Sequence, residues 1–132
     1  MAGLIFNTGL DYLDTVAVAT DCATWRVYLY SNNHTPVSAD TLGSFTLITG
    51  FGLSFQTPGF TVGSASAGIK AIVSALMNFI STGAAGSTYG YIVTNGSGTT
   101  AIGGELFAGG PFSVNSAGLG VQLTATLTDQ SP

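Results

Sequence analysis

The chain has 132 residues, enough for one domain with a two-layer core. Only 6% of them are charged, against about 25% in an ordinary soluble domain, and thirteen serines with eighteen threonines stand in as neutral polar groups. A net charge of −4, with Arg26 and Lys70 as the sole basic residues, excludes a nucleic-acid partner, because phosphate binding needs clustered cations. The longest apolar candidate, Ala71 to Ile80, is interrupted by Ser74 and Asn78 and falls short of the roughly 18 residues of a spanning helix, so no membrane partner is expected.

Threonine favours strands, and 19 glycines suit many turns and close backbone contacts. The composition therefore predicts a mainly β protein. Between Thr41 and Thr128 only Lys70 and Glu105 carry charge. Desolvating a hydroxyl costs less than desolvating a charge, so such a surface suits a subunit lying against neighbours, copies of itself among them. The alternative is a neutral, threonine-covered sandwich that is soluble alone. Asp11 and Asp14 break the first apolar stretch, and no basic segment precedes it, which points to synthesis in the cytoplasm.

Taken in order, residues 1–20 form a helical segment or arm. Asn7 or Thr8 can cap a short helix over about 8–18, with Leu10, Leu13 and Ala17 on its apolar face. Cys22, the single cysteine, reads as a small buried residue rather than a nucleophile. A β-sandwich or jelly-roll-like domain of antiparallel strands is expected over 24–128. Its first strand, Thr24–Ser31, places Trp25, Val27 and Leu29 on the core face and Arg26, Tyr28 and Tyr30 on the other.

Asn32–Pro36 is a loop by its turn chemistry, and its His34 reads as a solvated histidine. No His or Cys partner stands at ligand spacing, so neither a metal nor a cofactor is expected. Asn33-His-Thr35 and Asn95-Gly-Ser97 match the glycosylation pattern but read as bare loops without a secretory signal. Asp40–Phe45 is a loop or single helical turn over Leu42 and Phe45. Short edge pieces follow from Thr46 to Thr61, punctuated by Gly50, Gly52, Pro58 and Gly59.

Ile69–Ser81 fits a helical stripe, which periodicity alone favours, and also a strand buried on both faces; the β context selects the strand. A hairpin over Ser87–Phe107 turns at Asn95-Gly96, the residues expected to take positive φ, with Gly98 as a second permissive position. Gly120–Thr128 reads as one strand, alternating Val121, Leu123, Ala125 and Leu127 against Gln122, Thr124, Thr126 and Thr128. The tail from Asp129 to Pro132 is too polar for core.

No catalytic constellation emerges. Glu105 stands without a second carboxylate in its half of the chain apart from Asp129, and neither a Gly-x-Ser-x-Gly elbow nor a phosphate loop is present. The candidate interface residues are Trp25, Tyr28 and Tyr30, with Thr124 and Thr126 as outward positions on the clearest alternating strand. Exposed, these aromatics and Tyr89 and Tyr91 would offer stacking platforms. Buried, they are core and sheet pairs.

Four short motifs span most of the chain: Asn7-Thr-Gly-Leu10, Asn32-Asn-His-Thr-Pro36, Asp40-Thr-Leu-Gly-Ser-Phe45 and Tyr89-Gly-Tyr91. In this order they resemble a group of small proteins common in tailed-phage genomes and associated with virion structure. The resemblance implies a strand before Tyr89-Gly-Tyr91 and a place in the virion. The leading expectation is a capsid decoration (cement) subunit contacting itself and a major capsid protein. A receptor- or glycan-binding tail-fibre module, or a tail or connector subunit, is the alternative.

Overall fold

A computed structural model describes residues 3–13, 18–62 and 71–128. The chain opens with strand β1 (Gly3–Ile5), helix α1 (Asn7–Leu13), helix α2 (Val18–Asp21) and a 3₁₀ turn at Cys22–Thr24. Strand β2 (Arg26–Tyr30) follows, then a 3₁₀ turn at Leu42–Ser44 and strands β3 (Phe60–Val62), β4 (Ala71–Ser74) and β5 (Met77–Ile80). The remaining strands are β6 (Gly86–Thr88), β7 (Gly90–Thr94), β8 (Ala101–Leu106), β9 (Phe112–Val114), β10 (Gly120–Leu123) and β11 (Thr126–Thr128). The protein is mainly β, as its composition predicts.

Seven strands make one sheet in the order β2-β7-β8-β1-β11-β4-β3, and two ribbons, β5 with β10 and β6 with β9, complete the structure. Every neighbouring pair in the large sheet is antiparallel except β1 and β11, which run parallel. The expected N-terminal arm is thus corrected in one respect: its first residues form the middle strand of the sheet. Three residues are too few to show an alternation, so only tertiary pairing reveals β1. The helix begins at Asn7, one residue before the expected start, and residues 14–17 lie outside the described residues. Gly9 lets α1 lie directly on β8, because a Cβ there would collide with the Ile102 carbonyl.

One face of the sheet and the β5–β10 ribbon share a large core that includes Trp25, Val27, Leu29, Phe60, Met77, Phe79, Val93, Ile102 and Leu127. A second core of Phe6, Tyr30, Phe45, Ile92 and Ala101 covers the opposite face. The expected two-sided alternation of β2 therefore gives way to burial on both sides.

Ile69–Ser81 forms strands, as expected, over its described part, but not one strand buried on both faces. β4 and β5 are separated at Ala75-Leu76, and Leu76 and Ile80 are exposed. Opposite them the predicted strand Gly120–Thr128 divides into β10 and β11. The register changes here: Val73 faces Thr126, whereas Met77 faces Leu123. Three residues, Ser74–Leu76, thus oppose two, Thr124 and Ala125, which is a bulge. Buried Ser74 holds it together: its N–H donates to the Ala125 carbonyl at 2.9 Å, and its Oγ accepts the Ala125 N–H at 2.9 Å. The extra residue pushes Leu76 outward, and the chain passes from the large sheet into the ribbon.

Candidate interaction surface

Three of the five candidate interface residues lie inside the molecule. Trp25 and Tyr30 are wholly buried and Tyr28 nearly so. Trp25 is held from both ends, its ring against Phe60 at 5.5 Å and its Nε1–H donating to Asp21 Oδ2 at 2.9 Å. Tyr12 donates to the same oxygen at 2.5 Å, and its own burial with that carboxylate raises its pKa to about 12. Tyr28 packs on Phe55 at 5.4 Å, over which the Arg26 guanidinium also lies at 4.0 Å. Tyr91 is buried as well, so these rings form no stacking platform. The indole and phenol polar ends are satisfied internally, a nonlocal arrangement that strand alternation does not reveal. Of the two threonines, Thr124 is exposed and Thr126 half-buried.

The four short motifs gather around the second core. Tyr30 and Phe45 meet edge-on at 4.9 Å, and Phe6, next to Asn7, stacks on Phe45 at 5.6 Å. Asn32 ties the two loop motifs together, donating to the Ser44 carbonyl at 3.1 Å and accepting the Thr46 N–H at 2.7 Å. The Thr41 N–H donates to Ser44 Oγ at 3.1 Å and closes the turn. Thr8 donates to the Ala101 carbonyl at 2.8 Å instead of capping its helix. In Tyr89-Gly-Tyr91 the glycine leaves room for the Tyr30 ring and the Glu105 carbonyl. These motif residues pack the structure together, and Thr8, Thr41, Leu42 and Gly43 also border a shallow uncharged depression of about 280 Å³ with Thr99–Ala101.

His34 lies in its loop with 33% of its side chain exposed, but it is not simply solvated. Its ring packs edge-on against Phe45 at 5.1 Å, and Nε2 lies 2.7 Å from Asp40 Oδ2. An ionised carboxylate only accepts, so Nε2 carries the proton. Asp40 is buried and also accepts the Val37 N–H at 2.7 Å. Burial pushes its pKa up, but the Val37 N–H, the His34 ring and the Ser44 hydroxyl together hold it below the ordinary value. Glu105 Oε1 accepts the Tyr91 hydroxyl at 2.9 Å, and that hydroxyl accepts the Thr126 N–H at 3.2 Å. Burial first and the Glu105 charge second raise the Tyr91 pKa. Asp21, Asp40 and Glu105 are thus each engaged in a separate structural network. Cys22 is buried, donates to the Phe60 carbonyl at 3.1 Å and has its pKa raised by burial. Among the described residues no group of His, Cys, Asp and Glu could hold a metal ion, and no helix is long and apolar enough to cross a membrane.

What the molecule does present is apolar and uncharged. Phe51, Ile80, Leu119 and Phe112 are exposed by 54%, 53%, 37% and 43%, and the chain connects them into one band. The Phe51 carbonyl accepts the Thr82 N–H at 2.8 Å, and the Leu119 carbonyl accepts the Ser81 N–H at 2.9 Å, while Ile80 faces Gly120 across the ribbon. A cleft of about 400 Å³ runs between Phe112–Val114 and Leu119–Gln122. Phe51 takes φ +56° in the turn closed by the Leu53 N–H to Gly50 carbonyl bond of 3.0 Å, with its ring over Gly83. Sequence reasoning missed this band. Its one legible sign was the lack of charge over Thr41–Thr128.

No protein-family model, curated protein or solved structure matches this chain.

Proposed function

We propose that this chain is a structural subunit of a virus particle, a capsid decoration (cement) protein that associates with its own copies and with a major capsid protein. The observation that carries the reading is the band of exposed apolar side chains, Phe51, Ile80, Leu119 and Phe112, on a surface without charged neighbours in the chain. Contiguous apolar exposure on a small protein marks an interaction site, and uncharged polar groups around it are cheap to desolvate. The motif resemblance supplies the virion setting, and the engagement of Asp21, Asp40 and Glu105 in structural hydrogen bonds agrees with a role without chemistry.

Binding only to the assembled shell stabilises the shell by mass action. The protein should therefore be found in purified particles, leave them under mild dissociation, and lower the shell's thermal or mechanical stability on leaving. Absence from particles would overturn the proposal. Recovery with isolated tails, or binding of the free protein to host cells, would replace the capsid assignment with a tail one.

A further inference from the structure

The hairpin between β7 and β8 contains Asn95-Gly96, a pair that can react with itself. Asparagine is a labile residue, and glycine has no side chain to shield its nitrogen. In an open chain the Gly96 nitrogen therefore reaches the Asn95 carboxamide carbon. The new C–N bond expels ammonia, which carries off the Gly96 amide proton, and leaves a cyclic succinimide. Water then opens the ring at either carbonyl. One route gives aspartate; the other gives isoaspartate, in which the main chain runs through Cβ and Cγ. Of the chain's asparagines only Asn95 precedes a glycine.

In the folded protein the pair is pinned. Asn95 is buried. Its Oδ1 accepts the Thr99 and Thr100 N–H groups at 2.9 and 3.1 Å, and its Nδ2 donates to Thr99 Oγ1 at 3.1 Å. Its main chain is held as well, the N–H donating to the Thr100 carbonyl at 3.1 Å and the carbonyl accepting the Gly98 N–H at 3.0 Å. The carboxamide must give up its bonds to Thr99 and Thr100 before its carbon can turn onto Gly96. Yet the fold needs both residues. A Cβ at Gly96 would lie 2.7 Å from Thr24 Oγ1, and without the Asn95 oxygen two N–H groups of the turn lose their acceptor. We propose that Asn95-Gly96 is a site of spontaneous deamidation, closed while the hairpin is folded and open once it unfolds, with water as the co-reactant. The aspartyl product keeps an oxygen where Oδ1 stood and rebuilds the turn. The isoaspartyl product does not, because its longer main chain carries the carboxylate away from the Thr99 and Thr100 N–H groups and shifts Thr94 against Ala101. Since β7 lies between the two cores, a chain altered in this way loses an interior strand. One turn thus makes unfolding irreversible by a chemical step, whatever the protein assembles with.

The test uses the full, unmodified chain. It is held at mildly alkaline pH in two samples, one folded and one unfolded in guanidinium, while peptide mapping by mass spectrometry follows position 95. Three hydrogen bonds of the carboxamide must be released in the folded sample, so deamidation of Asn95 should be slower there by roughly a hundredfold or more. The unfolded sample is then returned to native buffer, and its folded and unfolded fractions are separated. Fragmentation that tells the two products apart should find isoaspartyl chains collected in the fraction that fails to refold, and aspartyl chains in the folded one. Equal rates of deamidation at Asn95 in the two samples would overturn the proposal. So would isoaspartyl chains that refold in the same proportion as unmodified ones.

Discussion

Strands β7 and β10 are of similar length and both read from sequence as sheet strands, yet they sit in opposite circumstances. β7 is buried at all five positions, flanked by β2 and β8 and enclosed between the two cores. β10 buries only Val121 and Leu123, pairs among the described residues with β5 alone and borders a cleft. The difference shows how a chain with so little charge divides its labour. Around β7, buried polar ends are paired with one another, as Tyr91 is with Glu105 and Thr126. Around β10, apolar side chains such as Leu119 and Ile80 remain at the surface of the described residues. One region closes the fold on itself; the other keeps apolar side chains exposed, which is what the proposed subunit role draws on.

The sharpest way to break this comparison is to truncate one large side chain in each region. Trp25→Ala should cost about 3–5 kcal/mol, the range for deleting a buried aromatic, and it also leaves Asp21 with one donor fewer. Ile80→Ala should shift stability by less than about 0.5 kcal/mol, because the side chain is exposed. Chemical denaturation midpoints measure both. Equal losses would mean that Ile80 already belongs to the closed core.

The junction between the two regions comes next. Ser74→Ala removes the acceptor of the buried Ala125 N–H, and an unsatisfied buried donor costs about 1–3 kcal/mol. Hydrogen exchange at Ala125 should rise together with the loss of stability. Unaltered exchange would show that the bulge holds without the hydroxyl.

Much of this organisation was legible in the sequence, and the exceptions have physical causes. The alternation from Val121 to Leu127 matches the observed burial at every position, because a half-covered strand obeys a period of two. Its division into β10 and β11 was hidden because the extra residue lies on the opposite strand, at Ser74–Leu76. Trp25 was placed on the core face and is covered there by Phe60, whereas the burial of Tyr30 was hidden because Phe6 and Phe45, which cover the second face, are distant in the chain. The hairpin at Asn95 was found, but of its permissive positions only Gly98, read as the second, is left-handed. The Gly98 N–H donates to the Asn95 carbonyl at 3.0 Å and Gly98 takes φ +72°, so positive φ falls at the fourth residue of the turn and not at Gly96. The Asn95 side chain fixes this geometry by accepting the Thr99 and Thr100 N–H groups at 2.9 and 3.1 Å.

That correction carries its own prediction. Gly98→Val should destabilise by about 1–2 kcal/mol through backbone strain, whereas Gly98→Asn should lose far less because asparagine tolerates this conformation. Gly96→Val should be harmful for a steric reason, since a Cβ there lies 2.7 Å from Thr24 Oγ1. Trimming Thr24 to Ala should relieve the Gly96 variant and leave the Gly98 variant unchanged, as read by thermal melts of the double variants.

The loop over the second core should respond to acid. The folded pKa of Asp40 lies below its ordinary value of 3.8. A depressed carboxylate contributes stability that is present above the unfolded value and lost as pH falls through the folded one. Stability should therefore decline below about pH 4, and this part of the decline should vanish in Asp40→Asn. At neutral pH that variant, which keeps one acceptor oxygen, should lose about 1 kcal/mol. An identical acid profile in both proteins would assign the decline to another group.

The smallest expected effect on stability distinguishes two threonines that sequence alone treats alike. Thr124 and Thr126 occupy the same face of the alternating segment, but Thr126 is half-buried in the large sheet, faces Val73 and donates its N–H to Tyr91. Thr124 is exposed beyond the end of β10, at the opening of the bulge. A lysine at Thr124 should change the folding free energy by less than about 0.5 kcal/mol, while a lysine at Thr126 must desolvate part of its stem and charge against β4 and should cost more. Only the Thr124 variant therefore separates association from folding. Under the proposed subunit role, association should weaken while the melting temperature stays within a degree or two of the parent protein. A large drop in melting temperature for Thr124→Lys would place this residue with the closed half of the molecule.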